Sequence, residues 1–256
     1  MLPVTLTLTA LPGLPMVRAG DDLAALLVAG IAAAGLAPQA GDVLVVAQKI
    51  VSKAEGRRVR LEAVTPSPEA LEMAGRVEKD PRLVHLILSE ARRVVRALPG
   101  LLIVEHRLGH IMANAGIDQS NVALPGEPPE ALLLPLDPDR SAAALSAALS
   151  DRFGLPLAVI VNDSFGRPWR RGTVGVALGV AGLPAVLDRR GSPDLFGRRL
   201  EHTLIGLADE AAAAASLLMG QADEARPAVL LRGLCWDAPP SPASALLRDA
   251  AEDRFR

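Results

Sequence analysis

Apolar and polar positions alternate with period two at the start of the chain, Val4-Thr5-Leu6-Thr7-Leu8-Thr9, which predicts a strand with one buried face. After the turn Pro12-Gly13-Leu14-Pro15 the apolar spacing changes to that of a helix, from about Asp21 to Ala34, with acids at its N-terminal end where the helix dipole favours them. Gly41-Asp42 then turns the chain into a short apolar strand, Val43 to Ala47. Ser67-Pro68 and Asp80-Pro81 are each a capping side chain followed by proline at the first helical position, so they predict a pair of helices. Leu101 to Val104 is the next strand, and Asp139 to Phe153 is a helix closed by Gly154. Leu157 to Val161 is a buried strand. Val174 to Val180 is a glycine-punctuated one, the pattern of a strand that another backbone approaches closely. A long Ala-rich helix from about Leu200 to Met219 stops at Gly220, and Ala228 to Leu231 supplies a last strand. Helices and strands alternating in this way predict a mixed α/β fold without internal repeats. The Pro-rich stretch Ala238 to Pro242 reads as a linker, and the residues beyond it as a peripheral appendage.

Composition narrows the picture. Half of the 256 residues are apolar but only 2% are aromatic, so Ala, Val and Leu must fill the core, and the Ala211 to Ala215 run predicts a helix face pressed closely on its neighbour. The length suits one large domain or two intertwined lobes. A formal net charge of −2, with acids and bases interspersed, gives no electrostatic support to a nucleic-acid partner. One cysteine, Cys235, excludes an internal disulfide and thiolate metal clusters, and fits a reducing cytoplasm. No stretch approaches the roughly 18 uninterrupted apolar residues of a membrane span.

The candidate chemistry lies in two acidic clusters, Gly116-Ile117-Asp118-Gln119-Ser120-Asn121 and Val161-Asn162-Asp163-Ser164-Phe165-Gly166. Each is read as a Gly-containing loop that sets a carboxylate beside amide and hydroxyl oxygens just after a strand. Taken singly, either aspartate is an ordinary turn residue. Together, at the carboxyl ends of strands, they suit Mg²⁺ or Mn²⁺, which take one or two carboxylates, neutral oxygens and phosphate oxygens. Ser164 is a further hydroxyl donor beside Asp163. Lys53, in Ile50 to Gly56, offers a charge to phosphate, and Arg167, Arg170 and Arg171 crowd the second cluster with groups suited to carboxylate or phosphate. Neither a Walker A pattern nor GxGxxG is present, so a nucleotide needs another cradle. His106 and His110 are four apart, but Gly109 argues against a shared helix face and against a zinc site. A serine nucleophile elbow is also absent.

In order along the chain, Gly13-Leu14-Pro15, Asp42 to Gly56, Gly109 to Asn121, Val161 to Gly182 and Met219 to Gly233 resemble the coenzyme F420-0:γ-glutamyl ligases. The resemblance implies a two-lobed α/β fold distinct from the Rossmann and P-loop classes, formed by the whole chain and assembled as an intertwined homodimer. It implies two divalent ions held by Asp118, Asp163, Ser164 and Gln221, with K⁺ a further candidate. GTP contacts would fall on Gly13, Leu14, Pro15, Met16, Lys53 and Asn121, on Met219, Gly220, Gln221, Ala222, Asp223, Glu224, Ala225 and Arg226, and on Gln48. The implied reaction adds L-glutamate to coenzyme F420-0 through an acyl phosphate. Some relatives carry a fused nitroreductase-like domain, and this chain stops where one would begin. The arginines 167, 170 and 171 are assigned to the acidic acceptor or glutamate by charge and position alone.

Overall fold

The computed structural model describes residues 4–123, 126–249 and 251–253. A five-stranded sheet organises the larger part. It is built from β1 (Thr7–Ala10), β2 (Val43–Ala47), β8 (Ala158–Arg167), β9 (Arg170–Ala181) and β12 (Ala228–Arg232), in the order β1-β12-β2-β8-β9. Only β2 and β8 run parallel, pairing Val43 with Ala158 through to Ala47 with Asn162. The sheet is covered on both faces, which is why β2 reads as a continuous apolar run. On one face lie α1 (Leu23–Ala33), α2 (Gln48–Ala54) and α5 (Pro138–Phe153), packed on Leu44, Val46, Val159 and Val161. On the other lies α6 (Leu207–Met219), packed on Val43, Val45, Ala158 and Ile160. β10 (Leu187–Asp188) and β11 (Leu204–Ile205) form a small ribbon ahead of α6.

Between α2 and α5 the chain builds a second lobe with its own core. Helices α3 (Pro68–Val77) and α4 (Pro81–Glu90) pack on a three-stranded sheet of β4 (Ala91–Leu98), β5 (Leu101–His106) and β6 (Ile111–Ala113). β3 (Arg58–Arg60) pairs with β7 (Glu130–Leu132) at its base. Ser67 and Asp80 cap α3 and α4 as their sequences predict, each followed by proline at the start of the helix. Met112, Leu134 and Leu178 form a small apolar cluster between the lobes, with Leu108 and Phe165 packed against it.

Several elements differ from the sequence expectation. The first strand begins only at Thr7, with Val4 exposed. The long helix starts at Leu207 and not near Leu200, because Leu204-Ile205 is taken up by pairing with Leu187-Asp188 and Gly206 sits at the helix N-cap. β4 escapes prediction because two register shifts break its period-two pattern into one of roughly three. α2 escapes it because β2 passes straight into helix with no turn residue between them. The segment after the Pro-rich stretch is partly packed: Ala243 is buried, and its backbone N–H donates to Asp139 Oδ1 (2.8 Å). Residues 250 and 254–256 of that tail lie outside the described residues. Among the described residues no helix is long and apolar enough to cross a membrane.

The expected close approach to the glycine-punctuated strand is present. A Cβ on Gly175 would collide with the Ala212 carbonyl on α6, and one on Gly179 with the Pro138 carbonyl at the start of α5. Since a backbone carbonyl in a packed helix cannot yield, Gly179→Ala is expected to destabilise the protein by about 1–3 kcal/mol, the usual cost of overpacking. A reduced denaturant midpoint at unchanged slope checks this.

Within the second lobe, Glu90, buried at the end of α4, ties that helix to the segments that follow α2 and β5. Its carboxylate accepts from Arg57 Nη2 (2.9 Å) and Arg107 Nε (3.0 Å), with His106 Nε2 at 3.3 Å. Burial works to raise this carboxyl, but His106, Arg107 and Arg57 outweigh it and hold it at about 2. A depressed carboxylate contributes stability that is complete above the unfolded value near 4.5 and lost as pH falls toward about 2. Glu90→Gln is therefore expected to cost about 3 kcal/mol at neutral pH, as for a broken buried pair. The difference from the parent should shrink between pH 4.5 and 2, as measured by urea titrations across that window.

Candidate functional site

β2 ends at Ala47, level with Asn162 of the parallel strand β8, and the candidate residues collect there from four separate parts of the chain. α2 begins where β2 stops, so its first turns carry Gln48, Lys49, Ser52 and Lys53 to this end of the sheet. The Asp118 to Asn121 loop comes in from the second lobe. Its start is fixed by paired backbone bonds between Asp118 and Leu132 (3.0 and 2.8 Å). Left-handed backbone at Asn114, Ala115 and Asn121 (φ 52°, 54° and 56°) shapes this segment. For a buried alanine that conformation costs about 1–2 kcal/mol, which the surrounding packing offsets.

α2 grips the loop at three points. Gln48 Nε2 donates to Asp118 Oδ2 (3.2 Å), while its Oε1 accepts from Ser52 Oγ (2.9 Å), so the amide has one orientation. Lys49 Nζ donates to the Ser120 carbonyl (3.1 Å) and Oγ (3.0 Å) and lies 3.3 Å from Asp118 Oδ2. Lys53 Nζ donates to the Asn121 carbonyl (2.8 Å). The loop is tied in turn to the end of α6, where Asn121 Nδ2 donates to the Ala222 carbonyl (3.0 Å).

The second acidic segment is not a loop. Asp163, Ser164, Phe165 and Gly166 belong to β8, which overruns β2 and continues as a hairpin with β9, pairing Asp163 with Val176 and Ser164 with Gly175. Strand geometry sends successive side chains to opposite faces. Asn162 and Ser164 turn toward α6: Asn162 Nδ2 donates to Ser216 Oγ (3.1 Å) and contacts Met219 Sδ (3.4 Å), and Ser164 Oγ donates to Gln221 Oε1 (2.8 Å). Asp163 turns the other way, where the charges of Asp118 and Lys49 act on it. The four expected ion-binding residues thus fall into two pairs, Asp118 with Asp163 and Ser164 with Gln221, and Ser164 does not share a face with Asp163.

The electrostatics reflect this crowding. Burial, and then the like charge of Asp118, push the Asp163 carboxyl up to about 7. Lys53 is held below the ordinary lysine range by burial first and by Arg58 and Lys49 second, against the pull of Asp118. Two carboxylates, hydroxyls, carbonyls and amide oxygens are a hard, all-oxygen donor set, which fits a small divalent cation. Among the described residues no three His, Cys, Asp and Glu side chains gather as one metal group, so neutral oxygens, phosphate or water must complete any shell. His106 and His110 share no helix. His106 Nδ1 accepts from the Leu108 N–H (3.0 Å), and His110, edge-on to Phe165, is lowered to about 4 chiefly by burial.

The remaining expected residues lie around this cluster. Gly13 begins the turn between β1 and α1, with Leu14 packed on the core and Pro15 and Met16 beside an open depression bordered by Arg18, Asp21 and Asp22. Met219 is buried, its sulfur facing Asn162. Beyond it Gly220 takes φ 73° and leaves space that the Glu224 carboxylate fills. That carboxylate also accepts from the Ala222 N–H (2.8 Å), closing the segment Gln221, Ala222, Asp223, Glu224 into a tight loop ahead of Ala225 and Arg226. Arg167, Arg170 and Arg171 sit at the tip of the β8–β9 hairpin, and among the described residues no ion pair joins them to Asp118 or Asp163. Sequence reasoning missed Lys49 and Ser120. The Gln48/Ser52 and Lys49/Lys53 spacing of four would have shown Lys49, had α2 been recognised as a helix, whereas Ser120 meets it only through a contact 71 residues away.

Fold and site together define a mixed α/β enzyme whose carboxylates and ammonium groups converge at the carboxyl end of β2, where the parallel strand β8 runs on past it. The chain belongs to the F420-0:gamma-glutamyl ligase family, whose model matches residues 13–233, and is an amide-forming acid–amino-acid ligase by that membership. It is 49% identical over 231 residues to a protein of Methanothermobacter thermautotrophicus named coenzyme F420:L-glutamate ligase, covering 90% of each chain. Proteins of the same name from Methanopyrus kandleri and Archaeoglobus fulgidus are 46% identical over 256 residues (98% of each chain) and 44% identical over 222 residues (87% of this chain, 85% of the relative).

Because the charge of Asp118 acts on Asp163, Asp118→Asn should lower the Asp163 pKa from about 7, while burial keeps it above 3.8. Carboxyl-carbon NMR of the metal-free protein measures this. An unchanged value would mean that Asp118 does not act on Asp163.

Proposed function

We propose that this chain joins the amino group of L-glutamate to the terminal carboxylate of coenzyme F420-0, and by γ-linkage extends the product, using GTP and divalent metal. One observation carries the reading: the carboxyl side chains of Asp118 and Asp163 are held near each other, with Lys49 and Lys53 alongside, at the carboxyl end of β2. The fold keeps two repelling charges close and offsets them with two ammonium groups, an arrangement suited to receiving cations and phosphate oxygens.

A carboxylate does not condense with an amine in neutral water, so the acceptor must first be activated. In the proposed sequence an oxygen of the acceptor carboxylate attacks the γ-phosphorus of GTP, GDP departs, and an acyl phosphate forms. The glutamate amine then attacks the acyl carbon, releasing inorganic phosphate and a proton. The protein's share of this work is alignment and charge neutralisation. Lys53 offsets charge on the nucleotide phosphates, and Asn121, the Gly13 to Met16 turn and the Met219 to Arg226 segment border the nucleotide. Gln48, buried and committed to Asp118 and Ser52, orients the Asp118 carboxylate. Asp118 with Asp163 would hold one divalent ion and Ser164 with Gln221 the other. When bound, such ions supply positive charge that lets triphosphate and carboxylate approach each other. Arg167, Arg170 and Arg171 reach out on the hairpin tip and would hold the acidic acceptor or glutamate. Exposed Leu195, Phe196 and Leu217 support assembly of two copies into a homodimer, and the exposed lone Cys235 supports a reducing, cytoplasmic setting.

The test is mass spectrometry of the deazaflavin acceptor after incubation with enzyme, GTP, Mg²⁺ or Mn²⁺ and L-glutamate. The expected outcome is a mass gain of whole glutamyl units with matching GDP release, lost in Asp163→Asn at a thermal midpoint no lower than the parent's, because the variant removes a carboxyl that burial and Asp118 push up to about 7. GDP release that does not depend on glutamate would point instead to a phosphotransferase, and wild-type turnover in Asp163→Asn would refute the role of that carboxylate.

A further inference from the structure

Lys49 stands beside the carboxylate pair but takes no part in the bond-making steps of the proposed reaction. Its ammonium has three oxygens around it, the Asp118 carboxylate at 3.3 Å and the carbonyl and hydroxyl of Ser120 at 3.1 and 3.0 Å. A carboxylate, a carbonyl and a hydroxyl are the oxygen types that a hard divalent cation takes. Lys49 is also not built into the core: its side chain is 29% exposed, whereas Lys53, one helical turn on, is buried and bonded to Asn121. A long, flexible stem with a compact charge, partly open to solvent, can leave its acceptors at little cost when a better one arrives.

We infer that Lys49 is a resident counter-cation that occupies the metal side of Asp118 in the unloaded enzyme and has to be displaced before that carboxylate accepts a divalent ion. The inference rests on the proposed metal-dependent reading of the site. Charge alone dictates two consequences. In the absence of nucleotide, a divalent ion competes with an ammonium already in place, so metal binding is weak. A bound polyphosphate offers Lys49 a stronger acceptor, draws it from Asp118 and frees the carboxylate, so nucleotide and metal bind with positive coupling. That coupling is reciprocal by linkage. The arrangement keeps the carboxylate pair partly neutralised while no metal is bound and makes metal loading depend on nucleotide.

The experiment titrates Mn²⁺ into nucleotide-free protein, reading free Mn²⁺ by electron paramagnetic resonance, and repeats the titration with a non-hydrolysable GTP analogue. Lys49→Gln keeps a hydrogen-bonding side chain for Ser120 but removes the charge, and Lys49→Met removes both. Each is expected to tighten nucleotide-free Mn²⁺ binding roughly tenfold, within the usual range of coupling factors, and to reduce the further gain brought by the analogue. Lys49→Arg, which keeps the charge, is expected to stay near the parent affinity. Mn²⁺ affinity in Lys49→Gln and Lys49→Met equal to or weaker than that of the parent would overturn the inference and leave the metal-dependent reading standing. Failure of the parent to bind Mn²⁺ with or without the analogue would overturn both.

Discussion

The site depends on the clasp between α2 and the Asp118 to Asn121 loop. Gln48, Lys49 and Lys53 each bond to that loop, and they do so across about 70 residues of intervening chain that form the second lobe. Asp118 belongs to one lobe and Asp163 to the other, and the clasp is what holds Asp118 against the first lobe. With it, two acids are forced close enough for one to raise the pKa of the other, and two lysines supply the opposing charge. The fold tolerates this arrangement because the rest of each lobe is well buried: the strained loop backbone and the crowded charges are offset by apolar packing elsewhere.

A second constraint is the overrun of β8 beyond β2. While β8 is flanked on both sides its residues are core, and once it passes the end of β2 one edge is open and its side chains become available to ligands. The period-two alternation then divides the strand's polar residues. Asp163 joins the α2 side, and Asn162 and Ser164 join the α6 side. The end of α6 is consequently part of the site in two ways, through Gln221 on Ser164 and through the Ala222 carbonyl on Asn121. Glycines 175 and 179 allow α6 and α5 to approach the sheet closely enough for these contacts to form.

Much of the local structure was legible in the sequence because its signals are local. Proline after Ser67 and Asp80, the glycine at 154 and the alternation or continuity of apolar runs depend on backbone sterics and on burial of one face. Elements whose pattern is set by a neighbour were not legible. The bulges in β4 shift its side chains out of simple alternation, α2 succeeds β2 without a turn residue, and the segment before α6 pairs with residues 187–188 and so does not extend the helix. The second acidic cluster resembles a loop in sequence for the same reason: its glycine and polar residues look like a turn until β9 is present to pair with them.

The sequence by itself determined which chemical groups the protein carries. It held two aspartates among hydroxyl and amide oxygens, lysines and arginines near them, a single cysteine and no nucleotide fingerprint of the common kinds. Only the tertiary structure decided which of these groups meet. Lys49 and Ser120 became part of the site, Ser164 was separated from Asp163 by one step of the pleat, and the hairpin arginines were left at the rim. The physical reason is range: capping, periodicity and turn chemistry act over a few residues, whereas Coulomb interactions and hydrogen bonds between distant segments exist only after packing has fixed the distance between them.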